Sequence, residues 1–245
     1  MVVSFYRRDR YMKENKSSIA AYIITGILAL AFVLMLAAFI FLPLFNLLAL
    51  LLLDAVFLII LIVNLAKKKH KAAKVCSIVF ICVFTAYALF ASMFTMPVSV
   101  NTRWQYPVAM KYSHKPGYKD DFFPEKIPDS AKNIHFDFLP SFLQGTGHAC
   151  LSFTADEEYV SELKARLEKE AKHAVKYNDI GELVKTLPKE KSDYGGQKVI
   201  SMYTGDFINE HPDSMAYVIK TNYNWNHPRN QVVLIDGNDV LFTEQ

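Results

Sequence analysis

Tyr223, Trp225, Asn226, His227 and Arg229 crowd aromatic, amide and guanidinium groups into one short stretch, 223–230. Aromatic faces stack while amides and Arg hydrogen-bond, so the stretch suits contacts with sugars, peptides or a partner protein. The competing reading is a structural loop whose Trp caps a core. Gln144 to His148 is a second, sparser candidate. Catalytic chemistry has less to work with. Cys150 is the one cysteine after residue 97, so residues 98–245 cannot hold an internal disulfide, and its place in a predicted strand suits a buried thiol. Cys-x-x-Cys, His-Glu-x-x-His and Gly-x-Ser-x-Gly are all absent, and Gly145-Thr146-Gly147 lacks the rest of any phosphate-loop pattern. His114, His135, His148, His211 and His227 are scattered, and Asp120-Asp121 reads as a solvated pair. No catalytic residue, metal or cofactor is assigned. Enzymatic activity stays open, because acid–base pairs can assemble from distant positions.

Asp54 is the other residue whose type and place stand out. It lies near the middle of an apolar run, where a carboxylate costs about 2.5–3.5 kcal/mol on insertion scales. Thr85 and Tyr87 sit at similar depth in a neighbouring run and could hydrogen-bond it. One reading is an ion or proton site, or a clasp to a partner's helix. The other, carried forward here, is a protonated acid that fixes how the helices pack.

The elements holding Asp54 are three apolar runs, 19–41, 44–66 and 75–97, of 23 residues each. At about 1.5 Å rise per residue, each reaches across a hydrocarbon core of roughly 30 Å. Arg7, Arg8, Arg10, Lys13 and Lys16 precede the first run, and Lys67, Lys68, Lys69, Lys71 and Lys74 lie between the second and third. Short loops rich in Lys and Arg stay cytoplasmic. Both clusters are inside only if the N-terminus is inside and everything after Pro97 is outside. The length of the first run makes it an uncleaved signal-anchor rather than a removable leader. Residues 1–97 carry 10 basic and 3 acidic side chains, against 17 and 21 in residues 98–245. The slight overall excess of positive charge therefore averages a basic membrane segment and a mildly acidic domain. It is no argument for nucleic acid.

The expected organisation is a basic cytoplasmic tail (1–18), a three-span bundle (19–97), a tether (98–121) and an extracytoplasmic α+β domain (122–245). Prolines and polar residues mark the tether, whereas Phe122-Phe123-Pro124-Glu125-Lys126-Ile127-Pro128 reads as an extended segment docked on a core. Ile134, Phe136 and Phe138 alternate with His135 and Asp137, as in a half-buried strand, and 148–153 reads as its hairpin partner. Thr154 and Glu157 fit a capping box for a long helix with Val160, Leu163, Leu167, Ala171 and Ala174 on one face. A short helix at 180–187 and strands at 198–204, 215–223, 231–235 and 240–243 complete the domain. The order predicts an antiparallel sheet with one long helix packed on a face.

Phe123-Pro124-Glu125-Lys126-Ile127-Pro128, the turn Pro140-Ser141-Phe142-Leu143-Gln144-Gly145 and Trp225-Asn226-His227-Pro228 resemble features of uncharacterised membrane-anchored or lipoprotein-like proteins of Gram-positive gut bacteria. The resemblance covers much of 120–240, not the spans, and implies no catalytic residue. The sequence therefore points to a multi-pass plasma-membrane protein with an extracytoplasmic binding or sensing domain. Its partners would be the lipid bilayer and an envelope or membrane protein, not nucleic acid. The alternatives are a cell-envelope hydrolase, or an interaction or immunity-type protein acting through its helical bundle.

Overall fold

The computed structural model describes residues 2–92, 96–113, 122–141, 147–187, 200, 202–221 and 230–245. The chain divides into two units, Met1–Met96 and Pro97–Gln245.

The first unit is three helices, α1 (Val2–Phe41), α2 (Phe45–Ala66) and α3 (His70–Ser92). Each contains a stretch long and apolar enough to cross a membrane: Ile19–Phe41, Phe45–Ala66 and His70–Ala91. The helices pack on one another through a narrow seam of Ala21, Leu28, Leu61, Leu65, Ala73 and Phe80. The Phe80 ring sits 4.7 Å from Phe57 and 5.4 Å from Phe84. Outside the seam, Ile23, Ile27, Leu30 and Leu34 of α1 are more than half exposed, as lipid-facing side chains must be. Lys68 ends α2 in the left-handed region (φ 55°), and the following Lys69 N–H returns to the Asn64 carbonyl.

The third helix starts five residues before the expected span and stops before Pro97. Helix formation does not require apolar residues, so His70, Lys71 and Lys74 join its first turns.

The second unit is a seven-stranded, wholly antiparallel sheet: β1 (Val98–Val100), β2 (Lys132–Leu139), β3 (His148–Thr154), β4 (His173–Lys176), β5 (Met215–Thr221), β6 (Asn230–Asp236) and β7 (Asp239–Glu244). Their spatial order is β1-β2-β3-β7-β6-β5-β4. One face carries Phe136, Leu151, Phe153, Phe242 and Val233, all buried. Helix α4 (Tyr106–Ser113) packs there beside β1 and β2, and the long helix α5 (Glu157–Glu170) contributes buried Val160, Leu163 and Leu167. Phe122 and Phe123 add edge-on contacts to Phe242 and Phe136, and the Tyr106 hydroxyl donates to the Pro124 carbonyl at 2.7 Å. The Phe122–Pro128 segment is thus docked on the core. The opposite face holds a second core of Ala216, Val218, Val232, Leu234 and Leu241. It is covered by α6 (Ile180–Thr186), by α7 (Phe207–Glu210) and by Ile200 and Met202.

Four local expectations give way. Residues 98–113 are not tether but β1 and α4, with Val98, Val100, Tyr106 and Ala109 buried. Pro107 stands in the first turn of α4, where no intrahelical N–H is lost. The cap of α5 is Asp156, whose carboxylate accepts from the Tyr159 N–H at 2.8 Å, while Thr154 belongs to β3. Helix α5 ends at Glu170, and His173–Lys176 pairs with β5 as an edge strand. Met202–Thr204 form no strand, and 198–199 and 201 lie outside the described residues.

Candidate functional site

Tyr223, Trp225, Asn226, His227 and Arg229 lie outside the described residues, as do Gln144, Gly145 and Thr146. What the structure shows is the base of the 222–229 connection. Thr221 pairs with Asn230 across β5 and β6, and its buried hydroxyl donates to Asn230 Oδ1 at 2.5 Å. The Asn230 and Gln245 backbones exchange two further hydrogen bonds.

The expected Asp54 clasp is not formed. Asp54 is fully buried, yet neither carboxylate oxygen has a hydrogen-bond partner among the described residues. Thr85 is exposed on the outside of α3 and Tyr87 is half-buried. Asp54 shares one stripe of α2 with Leu51, Leu61 and Leu65, so it faces the seam, whereas the Thr85 position turns away from it. Other polar side chains of the bundle bond to their own helices: Thr25 to the Ala21 carbonyl and Ser77 to the Ala73 carbonyl, both at 2.9 Å.

The polar groups that do converge lie on the sheet. One cross-strand row runs Ser99–Asp137–Cys150–Thr243–Val232–Val218, from β1 to β5. Its β5–β6 half lies under α6, α7 and their neighbours. Its β1–β2–β3 half is polar: Ser99 and His135 are exposed, and Asp137, His148 and Ser152 are half-buried. The alternation that put Phe136 into the core set Asp137 on this face.

His148 Nε2 lies 3.0 Å from Asp137 Oδ2. That contact places a proton on Nε2, since the carboxylate accepts. Tyr203 stacks on His148 with ring centroids 3.6 Å apart and planes 13° from parallel. The Thr243 hydroxyl holds the Tyr203 carbonyl at 2.6 Å, fastening this segment across the sheet. Burial, reinforced by the charges of Asp137 and Asp206 and by Cys150, pushes the Tyr203 phenol above its ordinary range, so it remains a donor. His135 Nδ1 lies 2.6 Å from Asn101 Oδ1. Leu139, paired with His148, adds an exposed apolar side chain.

Gly147 fixes this geometry. A Cβ there would strike the Leu139 carbonyl oxygen and the Ser141 nitrogen, so only glycine lets the chain turn into His148. Cys150, also on this face, is no nucleophile. Burial first, then the Asp137 carboxylate, pushes its thiol up to about 12, despite a hydrogen bond from the Asp137 backbone.

A second polar cluster joins β6 to β7. His211 Nδ1 lies 3.0 Å from Asp236 and Nε2 3.9 Å from Asp239, while the Thr154 hydroxyl donates to Asp239 at 2.5 Å. Among the described residues, no group of three or more His, Cys, Asp or Glu side chains is placed to hold a metal ion.

The sequence reading singled out His148 only as the end of a weaker candidate and left Asp137 and Tyr203 aside. The signal was present in the strand alternation, which put His135 and Asp137 on the polar face. Tyr203 carried no comparable signal. Comparison with protein families, curated proteins and solved structures found no match.

Proposed function

We propose that this chain is a multi-pass plasma-membrane protein whose N-terminus is cytoplasmic and whose 98–245 domain is an extracytoplasmic binding or sensing module. The basic segments on either side of the first two spans support that orientation. The observation that carries the binding reading is the half-covered sheet face. Helices cover its β4–β5–β6 side, while the β1–β2–β3 side presents Tyr203 and part of Asp137 to solvent, with His148 stacked beneath Tyr203. A polar face built from locked strands is a preorganised contact surface. The 223–229 stretch connects neighbouring strands of the same sheet and adds recognition chemistry to the domain.

A photo-crosslinking side chain at His135, in the full-length protein in its own membrane, tests this reading. Adducts should form from His135 and not from Glu162 on the exposed side of α5. Equal yields from both positions would contradict it.

The Asp137–His148 pair also favours a second reading, an envelope hydrolase with His148 as general base. On that reading His148→Gln abolishes turnover while leaving adduct formation at His135 intact. The interaction or immunity-type alternative places binding in the bundle instead, and spans separated from the domain would then retain the partner.

A further inference from the structure

We infer that the Asp137–His148–Tyr203 face binds a neutral polyhydroxylated ligand, a saccharide, an assignment that rests on this face being the binding surface. Three features of the face select the class. First, it offers hydrogen-bond capacity suited to ligand hydroxyls. The Asp137 carboxylate, in contact with His148 through Oδ2, supplies oxygen acceptors, and the Tyr203 phenol, its ring stacked on His148, supplies a donor. A carboxylate beside a phenol matches the hydroxyls of a sugar ring.

Second, the face is amphipathic. Tyr203 is 39% exposed and Leu139 41% exposed, and they adjoin the polar groups. Sugar rings present C–H faces as well as hydroxyls, and an aromatic face and an aliphatic side chain pack against the former. Third, the charge disfavours an anion. Among the described residues, those of β1, β2 and β3 that flank Asp137 on this side, Ser99, His135, Leu139, His148, Cys150 and Ser152, include no Lys or Arg, and Lys132 lies a row beyond His135. A phosphorylated or acidic ligand at Asp137 would meet the carboxylate first. The Cys150 thiol underneath is buried and is not offered to a ligand.

The test uses the full chain in lipid nanodiscs, which avoids sugar-headed detergents, with chitotetraose and maltotetraose titrated calorimetrically. Saturable binding of at least one is expected. Asp137→Asn should weaken it about tenfold or more, since a charged acceptor is lost. Tyr203→Phe, which keeps the ring, should weaken it less than Tyr203→Ala. Native Cys150 reports folding: each variant must keep it unreactive to maleimide. Binding that Asp137→Asn leaves unchanged in a folded variant would overturn the assignment. So would the absence of saturable binding to both sugars. If sugars fail while position 135 still crosslinks selectively, the ligand class is wrong and the binding surface stands. If both fail, both readings fall.

Discussion

Two carboxylic acids in this chain occupy opposite situations. Asp156 caps α5 in the open, where the Ser130 hydroxyl and then the Tyr159 N–H hold it below the ordinary carboxylate range. Its folded value is depressed, so its contribution to stability is complete above the unfolded value of about 3.9 and is lost as pH falls through the folded one. Asp156→Ala should therefore lower the unfolding midpoint at neutral pH, with the gap from wild type closing in acid. A gap that does not narrow as the pH falls in a melting series would count against the cap. Asp54 is buried in the bundle with no hydrogen-bond partner among the described residues. Because no hydrogen bond is lost, Asp54→Leu should leave the bundle as stable or more stable, by up to about 1–3 kcal/mol for a relieved unpaired polar group. A fall in thermal midpoint in nanodiscs would mean that the carboxyl has a partner after all. Cys150 should resist maleimide in the folded protein and react fully in denaturant. Prompt labelling of the native Cys150 thiol would refute its burial.

At the scale of elements, the site depends on a hairpin and a helix. Gly147→Ala drives a Cβ into the backbone at Leu139 and Ser141 and should destabilise the domain by about 1–3 kcal/mol. Because His148 follows directly, ligand binding should fall with it. Leu163→Ala opens a cavity under α5 and should cost about 2–5 kcal/mol without touching the polar face. Chemical denaturation of the two variants, read beside binding, separates these effects. The β2–β3 hairpin was legible because Ile134, Phe136 and Phe138 alternate over enough residues to define a face. β1 and α4 were not, since three residues are too few for a period and Pro107 looked like a loop marker. β4 was hidden differently. Ala171 and Ala174 continue the helical spacing of Leu163 and Leu167, but Ala171 turns extended and Lys172 donates to the Val218 carbonyl. Pairing with β5, invisible in local sequence, outweighed propensity there. The seam position of Asp54 was readable from Leu51, Leu61 and Leu65, whereas its lack of a partner required the packing of all three helices. The same limit kept Tyr203 out of the predicted site, because no local pattern places it beside residues more than 50 positions earlier.

For the whole molecule, three apolar helices mark a membrane protein, and the proposed side of the membrane rests on charge. The central claim is that the polar sheet face is presented outside the cell while the Lys67–Lys69 turn stays within. Ser99→Cys tests both parts, since Ser99 is exposed on that face and native Cys150 is buried. An impermeant maleimide applied to intact cells should label Ser99→Cys at once and label Lys69→Cys only after permeabilisation. Labelling of Lys69→Cys in intact cells, with Ser99→Cys protected until the membrane is opened, would contradict the account.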